Sequence, residues 1–327
     1  MGANAPARKV FISPLDHGYE QAVADGFAWT GLEDLLKGSP RVAIKPNLTY
    51  PEYRPGVMTS LGAIEGLALY LKRFTPNITV CESDSGGYNR FPMDDVFRKT
   101  GLQAMAERLN LRVVNMSFEP SREISFRCGL RRLRVPLPSF LLDHTDLFIS
   151  MPVPKVHLNT GVSFALKNQW GVIQEPALRL KLHPYFNEVV YQVNKAMPRS
   201  IVVMDGTYGL TRSGPLRGEP VRLDWLMVAE DVFISDCVAA GLVGYDPMKI
   251  PHIRHALVKE GLVPPPEVSC NVPLSGVSGT KFHLKREWTD YPGVMCFNSR
   301  ILAWIGYESP LAKLLHWLLY RFREPFY

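Results

Sequence analysis

The feature that most constrains the fold is a unit that recurs along the chain: a short run of β-branched and aliphatic residues, then a polar tip, then a helical stretch. Strands of this kind are predicted at residues 42–44, 78–81, 147–150 and 201–204. Strands that alternate with helices form mostly parallel sheets with helices on both faces. The pattern therefore predicts an α/β fold with a mostly parallel sheet flanked by helices.

Helices and a hairpin complete the predicted fold. Helices are predicted at residues 60–74, 93–109, 184–197, 231–243 and 251–260, with Asp231 as the N-cap of the fourth. Residues 122–136 alternate charged and apolar side chains around Cys128-Gly129, which predicts a β-hairpin insertion.

The chain is expected to fold as one α/β domain followed by an extension. Residues 263–273 are rich in proline and lack periodicity, which is typical of a loop. We therefore assign residues 1–262 to the α/β domain and residues 263–327 to a C-terminal extension with a short strand and an amphipathic helix. Hydrophobic residues make up 46% of the chain and charged residues 21%, which is the balance of a globular protein.

The net charge and the cysteines indicate which class of ligand the protein binds and which cellular compartment it occupies. The formal net charge is +6, but the basic residues are dispersed, so a small anionic ligand is expected and a nucleic acid is not. The five cysteines form no C-x-x-C pair, so no iron–sulfur cluster is expected. Their wide separation favours a reducing compartment. Residues 1–14 contain no apolar stretch of signal-peptide length, which favours a cytoplasmic location.

The predicted C-terminal helix has a strongly apolar face. Charged and proline residues interrupt the apolar span, so the segment does not predict a simple membrane-spanning helix. Residues 300–323 are instead expected to contact the core, a second subunit in a homodimer, or the surface of a membrane. The apolar positions at helical spacing are Leu311, Leu314, Leu315, Leu318, Leu319 and Phe322.

An anion-binding pocket is predicted between Pro154 and Asn168. Lys155 and His157 are two residues apart in an extended segment, so both can point into one crevice. The run Asn159-Thr160-Gly161 is typical of a helix start, where free backbone N–H groups bind anions. Ser163 and Lys167 would then share one helical face, with Asn168 adjacent. The alternative is a capped helix with a solvated lysine.

The tips of the other strands carry further candidates. Lys45 and Asn47 follow the first strand, although Lys45 could also extend from a strand edge to solvent. Glu82 begins the run ESDSGG, which fits either an acid–base carboxylate, an oxygen-rich metal site or a plain polar loop. Asp205-Gly206 fits either a catalytic carboxylate or a tight turn, and residues 206–218 could form a lid.

Two isolated polar residues are also candidates. His183 could act as a general base or bind a metal together with His157, although isolated histidines are usually structural. Asp236 lies in an apolar helical run, where an unpaired carboxylate is costly. It therefore requires a partner, which could be a lysine of the pocket or backbone N–H groups.

These motifs together resemble a known family. The order of IKPN, ESDSGG, PVPKVHLNTGVSFALKNQWG, VVMDGTYG, SGPLRGEP and AEDVFISDCVAAGLVG resembles the domain of unknown function 362 family over about residues 42–262. Some members of that family resemble iron–sulfur proteins through an added ferredoxin-type cysteine module, which this chain does not carry. The motif positions matched are Lys45, Asn47, Glu82, Lys155, His157, Ser163, Lys167, Asn168, His183, Asp205, Asp231 and Asp236.

The first third of the chain also resembles the N-terminal domain of the lactate racemase family. The shared order is a strand with a polar tip, a helix, and a strand with an acidic glycine-rich loop. The resemblance implies proton transfer on a small hydroxy acid with a phosphorylated nickel cofactor. Here Lys45-Pro46-Asn47 replaces the Asp-x-x-Arg signature of that family, so the cofactor is left unassigned.

The sequence therefore predicts an enzyme that acts on a small anionic metabolite or biosynthetic intermediate. Lysines 45, 155 and 167 would hold negative charge, with Asn47, Asn159, Ser163 and Asn168 as further ligand-binding groups. His157, His183, Glu82 and Asp205 are the candidate acid–base residues. The alternatives are a non-catalytic binding protein for a phosphorylated ligand or cofactor, and a metal-dependent enzyme.

Overall fold

A computed structural model describes residues 7–85, 91–277 and 279–322 of the chain. The strands within these ranges are β1 (Arg8–Pro14), β2 (Val42–Pro46), β3 (Ile78–Glu82), β4 (Arg112–Asn115), β5 (Ser121–Cys128), β6 (Arg131–Pro138), β7 (Leu147–Met151), β8 (Lys155–His157), β9 (Gly161–Ser163), β10 (Arg199–Thr211), β11 (Glu219–Ala229) and β12 (Val268–Cys270).

The α-helices flank and connect these strands. They are α1 (Tyr19–Thr30), α2 (Leu61–Leu71), α3 (Met93–Lys99), α4 (Leu102–Leu109), α5 (Ser139–Asp143), α6 (Ala165–Asn168), α7 (Pro176–Leu182), α8 (Phe186–Ala196), α9 (Val232–Leu242), α10 (Pro251–Lys259), α11 (Leu274–Val277), α12 (Tyr291–Asn298), α13 (Arg300–Ala303) and α14 (Ala312–Leu319).

One mixed sheet organises the fold. Its strand order is β12-β1-β11-β10-β7-β2-β3-β4, and β8 and β9 attach beside β10. The run from β10 through β7, β2 and β3 to β4 is parallel, whereas β11 is antiparallel to both of its neighbours. The predicted α/β fold with a mostly parallel sheet is confirmed. Strands β5 and β6 form a separate antiparallel hairpin, as predicted.

Both faces of the sheet are buried, which explains the apolar character of its central strands. In β2, Val42 and Ile44 belong to the cluster packed under α1 and α2, whereas Ala43 belongs to the cluster on the opposite face. In β1, Phe11 and its neighbours Val10 and Ile12 alternate in the same way. The period of two in a strand thus distributes side chains between two helical layers.

Four local predictions are wrong. The segment 93–109 is two helices, because Gly101 between them has a φ of 84°, outside helical geometry. Strand β10 continues past Asp205 to Thr211, because it keeps pairing with β11 beyond a bulge near Gly206. The predicted loop 263–273 contains strand β12, which pairs with β1. Residues 159–161 do not start a helix.

The segment Asn159-Thr160-Gly161 instead forms the turn between β8 and β9. Gly161 has a φ of 82°, which suits a turn and not a helix, and β8 pairs antiparallel with β9. The helix that follows begins at Ala165, so Ser163 is in a strand and does not share a helical face with Lys167.

The C-terminal extension packs as a series of short helices. Helices α12 and α13 are followed by a π-helical turn, Trp304–Glu308, and then by α14. Across the described part of the chain, none of the helices is long and apolar enough to cross a bilayer.

Candidate functional site

A cavity of about 340 Å³ lies beyond the carboxyl ends of β2 and β3, between these strand ends and the helices that follow β12. Open α/β sheets bind ligands at this edge. Residues 206–211, the first part of the predicted lid, are in β10, and Pro215 and Leu216 from the turn line the cavity. The predicted site residues that line it are Lys45, Asn47, Glu82, Lys155, His157, Asn159, Ser163, Lys167, Asn168 and His183.

The first group in the cavity is a buried ion pair between Lys45 and Glu82. The Lys45 ammonium donates to Glu82 Oε2 at 2.8 Å and to Asn168 Oδ1 at 3.3 Å. The amide of Asn168 donates in turn to the Lys45 backbone carbonyl at 3.0 Å. Glu82 also accepts from the backbone N–H groups of Leu48 and Ser83. The charge of Lys45 is therefore neutralised within the protein.

Gly171 is required where this ion pair approaches the backbone. A Cβ atom at this position would lie 3.0 Å from the Lys45 ammonium and 3.1 Å from Glu82 Oε1. Both atoms are held by the network, so neither can move away cheaply. Steric crowding by the ion pair thus explains why the motif NQWG ends in glycine.

Lys155 and Lys167 differ from Lys45, because neither forms an ion pair with a carboxylate of the described residues. Lys155 is buried and donates to the Val57 carbonyl at 2.9 Å, and Lys167 lies 5.0 Å from the centre of the Phe186 ring. Burial and the positive charges of Lys167 and Lys45 lower the pKa of Lys155 to about 7. Burial and Arg179 lower the pKa of Lys167 to about 7. The cavity is thus lined by two lysines that have no carboxylate within ion-pair distance among the described side chains.

Arg179 adds a third positive group. It is buried and donates to the backbone carbonyls of Ile173 at 2.7 Å and Asp84 at 2.8 Å, and to the Ser83 hydroxyl. Burial lowers the pKa of Arg179 to about 10, with Glu82 and Asp84 acting in the opposite direction. These bonds hold the guanidinium in place while two of its five N–H groups remain for a ligand.

His157 has a defined tautomer. Its Nδ1 accepts from the backbone N–H groups of Asn159 at 3.1 Å and Thr160 at 3.4 Å, so the ring proton is on Nε2. Within the described residues Nε2 has no hydrogen-bond partner. Burial, Lys167 and His183 hold the pKa of His157 well below its ordinary value, so the ring is neutral. His157 can therefore donate a hydrogen bond from Nε2 at neutral pH.

His183 is held in an aromatic environment. Its ring stacks on Phe186 with centroids 5.2 Å apart and meets the edge of Trp170 at 5.7 Å. The side-chain amide of Asn159 donates to its Nδ1 at 2.9 Å. Burial, followed by Lys167, lowers the pKa of His183 to about 3, so this imidazole is also neutral.

Asp236 positions the helix that carries Lys167 and Asn168. Its carboxylate accepts from the backbone N–H groups of Ala165 at 2.8 Å and Leu166 at 3.2 Å. Of the two partners considered from the sequence, the structure shows the backbone. This carboxylate satisfies the first free N–H groups of α6, a reason for the helix to begin at Ala165.

Asp205 is not among the described residues that line the cavity. Its carboxylate accepts from the backbone N–H groups of Ser60 at 2.7 Å and Thr207 at 3.0 Å. It thereby connects β10 to the start of α2. No tight turn occurs at Asp205-Gly206, because β10 continues.

The C-terminal extension covers the cavity. It is fastened by a hydrogen bond from Arg286 to the Leu158 carbonyl at 2.7 Å and by one between Asn298 and Asn159 at 3.0 Å. A salt bridge joins Lys181 to Glu308 at 3.4 Å. The lining residues from the extension are Asp290, Gly293, Val294, Phe297, Tyr307, His316, Leu319 and Tyr320. The cavity therefore combines a cationic floor with a largely apolar and aromatic roof.

The glycines of the run ESDSGG, Gly86 and Gly87, lie outside the described residues. Among the side chains that are described, no group of three or more histidines, cysteines, aspartates or glutamates converges as a metal site would.

Comparison with known proteins identifies the family. A family model described as domain of unknown function (DUF362) matches residues 42–241, which is more than half of the chain. The chain belongs to the DUF362 family. The resemblance read from the motifs is thus confirmed, and the matched span holds ten cavity-lining residues predicted from the sequence.

This DUF362 protein has low sequence identity to three proteins of known sequence or structure. A thylakoid-associated protein of Synechocystis is 23% identical over 230 residues, which cover 68% of each chain. The lactate racemase apoprotein of Thermoanaerobacterium thermosaccharolyticum has a TM-score of 0.42 at 13% identity, covering 77% of this chain and 56% of that one. A structural-genomics crystal structure from Thermotoga maritima has a TM-score of 0.37 at 12% identity, covering 66% of this chain and 56% of the other.

Two parts of the site were not predicted from the sequence: Arg179 and the cavity-lining residues of the extension. Arg179 lies four residues before His183, and this i, i+4 spacing on a helical segment could have indicated a shared face. The roof residues of the extension had no comparable signal, because their apolar and aromatic side chains are typical of any helix that packs on a core.

Proposed function

We propose that this protein is an enzyme that binds a small metabolite carrying a carboxylate or phosphate and moves a proton on it. The observation that carries the proposal is the set of three cations around the cavity, Lys155, Lys167 and Arg179, none paired with a described carboxylate. Buried charges are normally paired, because desolvation of a lone charge is costly. A ligand that supplies negative charge would offset that cost.

We assign separate roles to the three cations. Arg179 is fixed by three hydrogen bonds and presents further N–H groups, which suits two-point binding of a carboxylate or phosphate. Lys167, on α6, adds a second charge to the anion site. Lys155 is left as the proton acceptor, since an amine with a pKa near 7 is partly unprotonated at neutral pH.

His157 would act as a hydrogen-bond donor in this reaction and not as a base. Lys155 would remove a proton from the carbon next to a carbonyl or carboxylate of the substrate, and the electron pair would move onto that oxygen. The Nε2 proton of His157 would stabilise the negative oxygen, as expected of a neutral imidazole held in one tautomer. Return of the proton from Lys155 to the carbon completes the step without an oxidant or reductant.

The test is hydrogen exchange at carbon. The protein is incubated in D₂O with 2-hydroxy and 2-oxo carboxylates, with and without a phosphate group, and deuterium incorporation is followed by NMR. We expect exchange of one carbon-bound hydrogen in at least one compound, and a loss of roughly 100-fold in Lys155→Met and in His157→Phe. Lys99→Met changes an exposed lysine of α3 and serves as the control.

Two results would contradict the proposal. Compounds that bind without any exchange would favour a non-catalytic binding protein. Exchange that persists in Lys155→Met would show that another group accepts the proton.

A further inference from the structure

The C-terminal extension is apolar on the side that faces away from the cavity as well. Its inner face covers the site through Phe297, Tyr307 and Leu319. Trp288 (66%), Ile301 (72%) and Phe322 (68%) are exposed, and the rings of Trp288 and Phe322 lie 5.5 Å apart. Large exposed apolar patches are uncommon on monomeric soluble proteins. The other large apolar residues exposed in this segment are Tyr291, Met295, Trp304, Leu311, Leu314, Leu315, Trp317 and Leu318.

Helix α14 and the turns at its ends show how this surface is organised. Leu311, Leu314, Leu315, Leu318 and Phe322 follow each other at helical spacing and form one exposed stripe. The side chains of Ala312, His316, Leu319 and Tyr320 form the neighbouring stripe, which is buried or half-buried. The leucine stripe is thus separate from the side that packs on the protein.

Cations and tryptophan lie along the other border of the leucine stripe. Lys313, Trp317 and Arg321 are spaced four residues apart, and the Arg321 guanidinium lies 4.4 Å from the centre of the Trp317 ring. Leucines flanked by exposed cations and tryptophan are the composition of a helix that lies in a membrane interface.

The extension carries the net positive charge expected of a segment that lies in a membrane interface. The residues 281–322 contain six lysines and arginines, Lys281, Lys285, Arg286, Arg300, Lys313 and Arg321, against three acidic residues, Glu287, Asp290 and Glu308. All six basic residues are exposed, as is Glu287, whereas Asp290 is buried and Glu308 pairs with Lys181. The exposed side chains of the extension are therefore largely apolar and carry more basic than acidic groups.

We propose that this outer face binds the protein peripherally to the surface of an anionic lipid bilayer. A bilayer interface accommodates leucine and tryptophan in its acyl boundary and lysine and arginine at its headgroups. A second copy of the chain would bring the same cations together, and lysine is depleted in protein interfaces. The proposal does not depend on the enzymatic role, because the residues of the outer stripe do not line the cavity.

The test is flotation of the full chain with vesicles of phosphatidylcholine alone and of phosphatidylcholine mixed with phosphatidylglycerol. We expect binding to the mixed vesicles, weaker binding to phosphatidylcholine, and loss of binding at high salt. Leu314→Glu/Leu318→Glu should lower partitioning at least about tenfold. Lys313→Glu/Arg321→Glu should lower it by a similar factor on the mixed vesicles only.

Matched variants separate this surface from other causes. Leu130→Glu changes an apolar residue that is fully exposed at the tip of the β5–β6 hairpin and should bind vesicles as the unmodified chain does. Lys155→Met should also bind normally, whatever its effect on the cavity. The proposal is overturned if the protein floats with neither vesicle, or if Leu314→Glu/Leu318→Glu abolishes a dimer in sedimentation without changing flotation.

Discussion

Replacing Lys155 by methionine is expected to raise the free energy of unfolding at neutral pH while it removes a counter-charge for an anion in the cavity. The pKa of Lys155 is about 7 in the folded protein, against 10.5 for an ordinary lysine. Such a difference costs the folded state on the order of 5 kcal/mol when the amine is protonated in both states. We expect methionine, which has a similar length, to recover about 2 kcal/mol.

The sign of the pH dependence follows from the same difference. Between pH 7 and pH 10.5 the unfolded chain binds more protons at this lysine than the folded protein does. This lysine's contribution to stability therefore rises with pH across that window, and its cost is greatest below it. Lys155→Met should remove this slope, so the stabilisation should shrink as pH rises.

Urea unfolding at several pH values, with Lys99→Met as the exposed control, measures both effects. The control should change the free energy of unfolding by less than about 0.5 kcal/mol. If Lys155→Met is instead strongly destabilising at neutral pH, the buried ammonium is not the unpaired charge described above.

Replacing Glu82 by glutamine is expected to have the opposite effect, a loss of roughly 3 to 5 kcal/mol of stability. The partner side chains are 2% and 5% exposed and their charged atoms are 2.8 Å apart. Glutamine leaves the Lys45 ammonium buried without its carboxylate. The double variant Lys45→Met/Glu82→Gln should recover much of the loss, since it removes both charges together.

A double-mutant cycle in urea measures this coupling. The control is Glu52→Gln, because the pair of Glu52 with Arg54 has a similar distance of 3.0 Å but its carboxylate side chain is 71% exposed. This control should cost less than about 1 kcal/mol. An equally small loss in Glu82→Gln would mean that the Lys45–Glu82 pair does not hold the strand ends together.

Much of the fold and of the site could be predicted from local sequence patterns. Residues 42–44 and 78–81 are short apolar runs that end in polar side chains, and parallel strands bring such tips to one edge of the sheet. Lys45 and Glu82, 37 positions apart, therefore meet as a direct consequence of strand order. The strands β1 and β11 were not found, because the apolar run of β1 is only three residues long and β11 begins with alternating polar and apolar residues.

The errors arose where distant groups decide local structure. The N–H groups of Asn159 and Thr160 donate to the His157 ring, and the next helix begins where Asp236 can accept its N–H groups. Asp236 is 71 residues from Ala165, so no local pattern specifies that contact. The same reasoning explains why Asp205, a typical strand-tip carboxylate, instead binds the start of α2.

The central claim is that the cationic cavity binds an anion, and calorimetric titration with oxalate and with inorganic phosphate tests it most directly. An anion bound by Arg179 and Lys167 would lie close to Lys155 and raise the pKa of both lysines, so binding should take up one to two protons per protein above about pH 7. The dissociation constant should then rise about tenfold per pH unit for each proton taken up. Titrations in two buffers of different ionisation enthalpy measure the uptake, which should fall in Lys155→Met and not in Lys99→Met. Binding without proton uptake, or an affinity that Lys155→Met leaves unchanged, would contradict the claim.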